Sequence, residues 1–445
     1  MEIRDPIHGP IALSEVEIAV LAEPLFQRLR NVKQLGFAEL LFPGAAHNRW
    51  LHSIGVMHLA GIAFDTVFRD ADWLGADDRQ RLRQTLRLAG MLHDIGHAPL
   101  SHSSESLFPS RAVLALPDVD VGDPNKQARH EHYTVKLLLD SPLGAAVDRV
   151  AAPLGLSARH VAALLHEGVR LHDAPFVCGD RDVRPLLSTL CSGEVDVDRM
   201  DYLRRDSYFT GVSYGNFDAD WLLSHLTRHE AEDGRVALAL EDRALYTFDD
   251  FLLSRLHMFL MVYFHPKVVC FDQMLRRFYD ERPELTLPLD PDAFANFDDA
   301  AIWRALRDHA GKSRWAAGIT QLRPLPLVGE RGWHGRDDDL DGLEAVLQSE
   351  GIDHLRVTSH GALSKYRDRG AGDRAIFVRI QPRVGPARIV PLGKATTLFR
   401  RRSETTIMER TYVSEEGFAR AAAVLTALRA GKSDAPPAAT LEHAR

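Results

Sequence analysis

The sequence predicts a mainly α protein: a large helical domain over residues 1–285, a smaller α+β lobe over 286–431, and a disordered tail over 432–445. Three observations lead there. Apolar residues recur at helical spacing in long stretches before residue 285. After it, prolines and short strand-like runs replace that periodicity. The chain has 445 residues, 45% of them hydrophobic and 26% charged, which suits a globular protein with a large core and room for two domains.

Taken in order, Asp5-Pro-Ile-His-Gly9 reads as a turn. Phe26 to Gly36 reads as a helix with Phe26, Leu29 and Val32 on one face, closed by Gly36. His52 lies near the start of a helix of about 18 residues, and Gln80 to Met91 forms another. Residues 106–128 carry Pro109, Pro117 and Pro124 and read as a long loop. His130-Glu-His132 opens a helix, and 171–187 is a second loop rich in Asp, Arg and Pro. Glu194 to Phe209 is helical, as is Asp249 to Tyr279 apart from an interruption near Pro266. Beyond it, strands are expected at Leu285–Leu289, Leu355–Thr358, Ala375–Ile380 and Arg388–Leu392. Helices fall near 298–310 and 338–349, and a last one runs from an N-cap at Ser414 to just before Gly431.

Composition excludes several roles. Cys178, Cys191 and Cys270 are far apart and lack metal-site spacing, so a reducing cytoplasm is the expected compartment. The N-terminus has no signal-peptide pattern, and no apolar run approaches the roughly 20 residues that span a bilayer. A net charge of −8 argues against bulk attraction to nucleic acid or an anionic membrane, though not against a local phosphate pocket.

Met91-Leu-His-Asp-Ile-Gly-His-Ala-Pro-Leu-Ser-His102 places His93, Asp94, His97 and His102 in one segment. Gly96 and Pro99 stop the preceding helix and re-aim its last two histidines. An isolated His-Asp pair means little, since such dipeptides arise by chance. Imidazole and carboxylate together are nonetheless the usual ligands of a catalytic divalent ion. Neighbouring residues on a helix diverge by about 100°, so His93 and Asp94 need partners from other helices. His52 is a candidate third ligand. On the helix from Glu194, Asp198, Tyr202 and Asp206 share one face, and Asp198 is the candidate fourth.

His52, His93-Asp94 and Asp198 form an H…HD…D pattern that resembles the HD-domain phosphohydrolases. Further matching segments are Asp5-Pro-Ile-His-Gly9, Phe26-Gln-Arg-Leu-Arg30, Lys33-Gln-Leu-Gly36, Phe42-Pro-Gly44, His47-Asn-Arg49, His93-Asp-Ile-Gly-His97 and Asp196-Val-Asp198. With them the chain is similar to the deoxynucleoside triphosphate triphosphohydrolase branch, densely from residue 5 to about 275. The resemblance implies a helical HD domain and a divalent metal ion held by His52, His93, Asp94 and Asp198. It implies that Arg49, His97 and His102 contact phosphates, and that His130 with Glu131 is the acid–base pair near the α-phosphate. Gln34 and Leu35 would touch the sugar, and Arg199, Tyr202, Asp206 and Arg255 would line the phosphate and sugar pocket. Tyr263 would pack where a 2′-hydroxyl would otherwise fit. The implied partners are a deoxynucleoside triphosphate substrate, further copies of the chain in a dimer or tetramer, and a nucleotide activator at subunit contacts built from Asp5 to Arg30. No nucleic acid is required.

Three positions depart from the family pattern. Arg199 replaces a Lys and Phe264 replaces a Gln. Ala22 replaces an Asp that reads guanine, which puts guanine-nucleotide activation in question. Two alternatives stand beside this reading. One is an HD phosphohydrolase of other specificity, acting as a nucleotidase, phosphodiesterase or alarmone hydrolase. The other is a non-catalytic nucleotide- or nucleic-acid-binding regulator, for which four metal ligands would serve no purpose.

Overall fold

The computed structural model describes residues 1–333, 336–362, 375–396 and 405–433. Its main body is helical. A hairpin of β1 (Glu2–Asp5) and β2 (Gly9–Ala12) opens the chain. The turn between them is set by Asp5, whose Oδ1 accepts from the backbone N–H groups of Ile7 and His8. Helix α1 (Arg49–Val67) is capped by Asn48, whose side chain accepts from the N–H of Leu51. It packs along α2 (Ala76–Leu92), which ends at His93. Helix α3 is His130–Leu139 and α4 is Val197–Thr210; Asp196 caps the start of α4, and Gly211 at φ 76° ends it. Helix α5 (Leu245–Met258) runs into a π-helical turn, Phe259–Tyr263, and α6 (Pro266–Asp280) follows with Pro at its first position.

Between α4 and α5 lies an antiparallel hairpin, β3 (Leu226–Glu230) and β4 (Val236–Glu241). The later chain forms β5 (Leu327–Trp333), β6 (Arg336–Asp337), α7 (Leu340–Ser349), β7 (His354–Ala362), β8 (Phe377–Ile380), β9 (Arg388–Pro391), β10 (Thr405–Val413) and α8 (Glu415–Ser433). One sheet has the order β6-β5-β10-β7. Leu340, Leu343 and Leu347 of α7 pack with Val413, Ala421 and Leu425 in a small core beside it. The other sheet has the order β9-β8-β4-β3, with β8 parallel to β4. The late strands thus complete a hairpin that arises before residue 285. One continuous apolar core accordingly takes in Ile11, Phe64, Phe251, Ile376 and Tyr412.

The mainly α architecture with a smaller α+β lobe is as expected, but several local expectations are corrected. Phe26–Gly36 is not one helix: a helical turn at Pro24–Gln27 tightens into a 3-10 turn at Arg28–Asn31, and Val32 is extended. Tertiary bonds win there. Arg28 is buried over the Phe294 ring and donates to the Phe297 carbonyl, while the Lys33 N–H donates to Asp299. Leu285–Leu289 is not a strand; Leu287 is buried in the core, and Pro288 has no N–H for a ladder. The loop over 171–187 holds a two-residue ribbon, Val177–Cys178 with Arg181–Asp182, and the start of a helix at Arg184. The last helix continues past Gly431 to Ser433, and positions 434–445 of the expected tail lie outside the described residues. No helix among the described residues is long and apolar enough to cross a membrane.

Candidate active site

Helices α1, α2 and α4 bring His52, His93, Asp94 and Asp198 together. One nitrogen each from His52 and His93 and an oxygen from Asp94 all lie within 4.8 Å of one another. His52 Nε2 is 2.9 Å from Asp198 Oδ1 and 3.6 Å from Asp94 Oδ2. His93 Nε2 is 3.2 Å from Asp94 Oδ1 and 3.5 Å from Asp198 Oδ1. Hydrogen bonds on the far side of each ring set the tautomers. His93 Nδ1 lies 2.8 Å from the Gly90 carbonyl, which can only accept, so Nδ1 carries the proton and Nε2 keeps its lone pair. His52 Nδ1 donates in the same way to Asp201 Oδ2 at 2.8 Å. His93 Nε2 is buried with no hydrogen-bond partner among the described residues. Two Nε2 lone pairs and two carboxylates at one point fit a divalent cation.

The electrostatics are strongly coupled. Burial opposes charge on His52, but Asp198 and Asp201 outweigh it and push its pKa up to about 10. His93 is raised as well: burial opposes, and Asp94 and Asp198 prevail. Burial also works against ionised Asp94, yet Arg49, His93 and His97 hold it well below the usual carboxylate range. Arg49 NH1 reaches Asp94 Oδ2 at 2.5 Å, and its Nε donates to Ser101 Oγ.

Asp201 and Arg205 did not stand out in the sequence. Asp201 is fully buried and also accepts from Arg205, which reaches Asp5 in turn; His8 Nε2 lies 2.6 Å from Asp201 Oδ1. The Asp5-Pro-Ile-His-Gly9 turn is therefore a brace beneath His52, the first candidate metal ligand. The brace also fixes a glycine: a Cβ on Gly55 would lie 2.0 Å from Asp201 Oδ1 and 2.4 Å from Arg205 NH2. The spacing of Asp201 and Arg205, i and i+4, was the available signal.

A histidine cluster flanks the ligands. His97 and His130 stack with centroids 3.8 Å apart at 17°, and His102 meets both edge-on. Gly96 permits this, since a Cβ there would lie 2.3 Å from the His130 carbonyl oxygen. Leu100 and Ser101 both sit in the left-handed region, at φ 55° and 56°, which re-aims His102. A bond from the Leu100 N–H to the buried Asp299 carboxylate holds that turn. Burial pushes His97 well below the ordinary imidazole range and His130 down to about 4. His102 is largely exposed and pairs with Glu105. Glu131 Oε2 is 3.7 Å from His130 Nδ1.

The wall formed by α4, α5 and the π-turn carries the remaining candidates. Tyr263 donates to Asp206 Oδ2 at 2.7 Å, and His47 Nε2 bonds Asp206 Oδ1 at 2.8 Å. Tyr202 lies between His52 and Tyr263, with centroids 6.5 and 6.4 Å away. Arg199 and Arg255 converge on one buried carboxylate that sequence reading missed, Glu194. Gln34 is buried with Oε1 lacking a partner among the described residues, and Leu35 is half-buried beside it.

A helical cradle that gathers two histidines and two aspartates from three helices defines the class: this is an HD-domain protein. The chain matches the HD domain family over residues 49–206 and the HD associated region over 217–325, so it carries an HD domain followed by that region. It is 30% identical over 266 residues to the uncharacterized protein YwfO of Bacillus subtilis, across 59% of this chain and 51% of that one. It is 32% identical over 227 residues to the human deoxynucleoside triphosphate triphosphohydrolase SAMHD1, across 48% and 34%. The chain spans about half the length of the curated relatives it matches first. A hypothetical protein from Aquifex aeolicus shares the fold with a TM-score of 0.72 at 24% identity, over 96% of this chain and 99% of that one.

Proposed function

We propose that this chain hydrolyses deoxynucleoside triphosphates to a deoxynucleoside and inorganic triphosphate, using a divalent metal ion. The observation that supports this most is the meeting of His52, His93, Asp94 and Asp198 beside the buried Arg49 and Arg255 and a tyrosine-lined wall. A bound divalent ion supplies Lewis-acid polarisation of a phosphoryl oxygen and a water acidic enough to deprotonate near neutral pH. Arg199 and Arg255 grip the phosphates, with Arg49, His97 and His102 on the other side. Tyr263 and Asp206 face the sugar, with Tyr202, Gln34 and Leu35 around it.

In the reaction a water oxygen gives up one proton to solvent and bonds to the α-phosphorus, and the bond from phosphorus to the 5′-oxygen breaks. The leaving 5′-oxygen takes a proton from His130, and Glu131 steadies that imidazole. The free chain keeps His130 neutral through burial. The negative charge of the incoming phosphates raises its proton affinity, so substrate binding itself loads the acid. Such proton transfer contributes typically 10²–10⁴-fold.

We place the enzyme in the cytoplasm, where its three cysteines, all of them buried, stay reduced. We also propose a homo-oligomer with the Asp5–Arg30 segment at a subunit contact. Gln27 and Arg30 there bond each other, and Arg30 stacks on Trp50, which leaves a basic edge for a nucleotide activator. Ala22 in that segment argues against a guanine reader.

The test is incubation of the chain with each dNTP, NTP and dNMP plus Mn²⁺ or Mg²⁺, with triphosphate and single phosphate resolved as products. Triphosphate released from dNTPs is expected. Single phosphate released from dNMPs, with dNTPs untouched, would replace this reading with that of a nucleotidase.

A further inference from the structure

Arg199 and Arg255 come from different helices, α4 and α5, and meet at Glu194. Arg199 NH1 is 3.1 Å from Glu194 Oε2, and Arg255 NH1 is 3.4 Å from Glu194 Oε1. Each guanidinium thus takes one oxygen of a single carboxylate, much as two arginines share a phosphate. The Glu194 and Arg255 side chains are each 3% exposed. Arg255 is poorly satisfied for so buried a group. Its bond to Glu194 is long, and its Nε has no partner among the described residues. Its guanidinium carbon lies 5.4 Å from the Phe259 ring centroid. Arg199 has a second acidic neighbour, Asp196, at 3.5 Å. Glu194 and Asp196 thus offset part of the arginines' positive charge at the place where a polyphosphate would bind; burial pushes the Asp196 carboxyl up to about 7, so Glu194 is the main counter-anion.

We propose that Glu194 is an internal stand-in for substrate phosphate: it bridges the arginine pair in the free chain and is displaced when a polyphosphate binds. The inference rests on the reading of Arg199 and Arg255 as phosphate contacts. The physical logic is a trade. A buried and a partly buried guanidinium side by side with no counter-anion would destabilise the folded chain. Glu194 supplies that anion when no substrate is present and keeps the two side chains aimed at one point. A polyphosphate must then compete with it, so the site rejects weak anions such as orthophosphate and answers to ligands that bring several charges. Glu194 in this view is a specificity-determining residue that acts through the arginines and takes no part in bond cleavage.

The experiment is binding of inorganic tripolyphosphate and orthophosphate to the full chain treated with a chelator, by calorimetry, alongside thermal unfolding with and without tripolyphosphate. Glu194→Gln should bind tripolyphosphate about tenfold more tightly than wild type, because one like charge beside the anion is gone. Orthophosphate binding should become measurable. Without ligand the variant should melt lower than wild type, and tripolyphosphate should raise its Tm by more than it raises the wild-type Tm. If Glu194→Gln does not fold, Glu194→Asp serves: its carboxylate is withdrawn by one methylene, and an intermediate gain is expected. Unchanged or weaker tripolyphosphate binding in the folded variant would overturn the proposal. Arg255→Ala separates the two layers. Weaker binding in Arg255→Ala with no gain in Glu194→Gln sinks this inference alone. Wild-type binding in Arg255→Ala sinks the phosphate reading of the pocket as well.

Discussion

In the proposed metal site His52 has two jobs that compete. Its Nε2 must be free of a proton to hold a metal ion, yet Asp198 and Asp201 favour the protonated ring and push its pKa up to about 10. Metal binding therefore releases a proton across the neutral range, and affinity must rise with pH. With one proton displaced, Mn²⁺ affinity should increase roughly tenfold per pH unit from 6 to 9. A calorimetric titration in buffers of different ionisation enthalpy reads both the affinity and the proton count. A flat profile would show that His52 is already neutral. The stability of the metal-free chain should move the other way. A folded-state pKa raised above the unfolded value of about 6.5 stabilises fully below pH 6.5. That contribution is lost as pH climbs toward 10. Chelator-treated protein should thus melt progressively lower between pH 7 and 9, and Mn²⁺ should abolish the trend.

Elements differ in how openly the sequence announces them. His93 and Asp94 end a periodic helix just before Gly96 and Pro99, and Asp198 stands in the first turn of another, so ligand chemistry and local punctuation agree. Glu194 and His47 gave no such sign, because a lone acid ahead of a helix or a lone histidine ahead of a cap is ordinary in any chain. The β3–β4 hairpin escaped notice because β3, Leu226-Thr-Arg-His-Glu230, is mostly polar, although Asp233-Gly234 was a usable turn signal. Strand β10 has partners on β5 and β7, far away in sequence, and only the fold supplies them. The π-turn at Phe259–Tyr263 is the element with the most to say about selectivity, since such bulges re-aim side chains. It sends Tyr263 to Asp206 while Arg255, two turns earlier, meets Glu194. A buried 2′-hydroxyl left unpaired against the Tyr263 ring costs about 1–3 kcal/mol. Tyr263→Ala should bring the kcat/KM ratio for dATP over ATP down roughly 5–150-fold, whereas Tyr263→Phe, which keeps the ring, should retain most of it. An Ala variant with the wild-type ratio would remove Tyr263 from sugar selection.

At the scale of the whole molecule, the late strands are tied to the pocket through two side chains of β10. Arg410 donates from NH1 to the Phe264 carbonyl, and the Tyr412 hydroxyl donates to the Pro266 carbonyl at 2.8 Å. These carbonyls belong to Phe264, which directly follows Tyr263, and to Pro266, the first residue of α6. Both side chains are buried, and Arg410 is held in turn by Glu330 on β5. The lobe therefore grips the backbone that carries Tyr263, even though none of its described residues belongs to the cluster of His52, His93 and Asp94. Tyr412→Phe removes one hydroxyl bond to a carbonyl of the first turn of α6, costing about 0.5–1.5 kcal/mol of local stability. Loosening that turn lets Tyr263 swing away from Asp206, which weakens ground-state fit without touching His130 or the metal ligands. The expected signature is a several-fold rise in KM for dATP, a smaller preference for dATP over ATP, and kcat near wild type. Metal affinity measured on the same variant should not change. Equal KM and equal sugar preference in Tyr412→Phe and in Arg410→Met would mean that the lobe merely rests on the pocket wall, and its tie to selectivity would be lost.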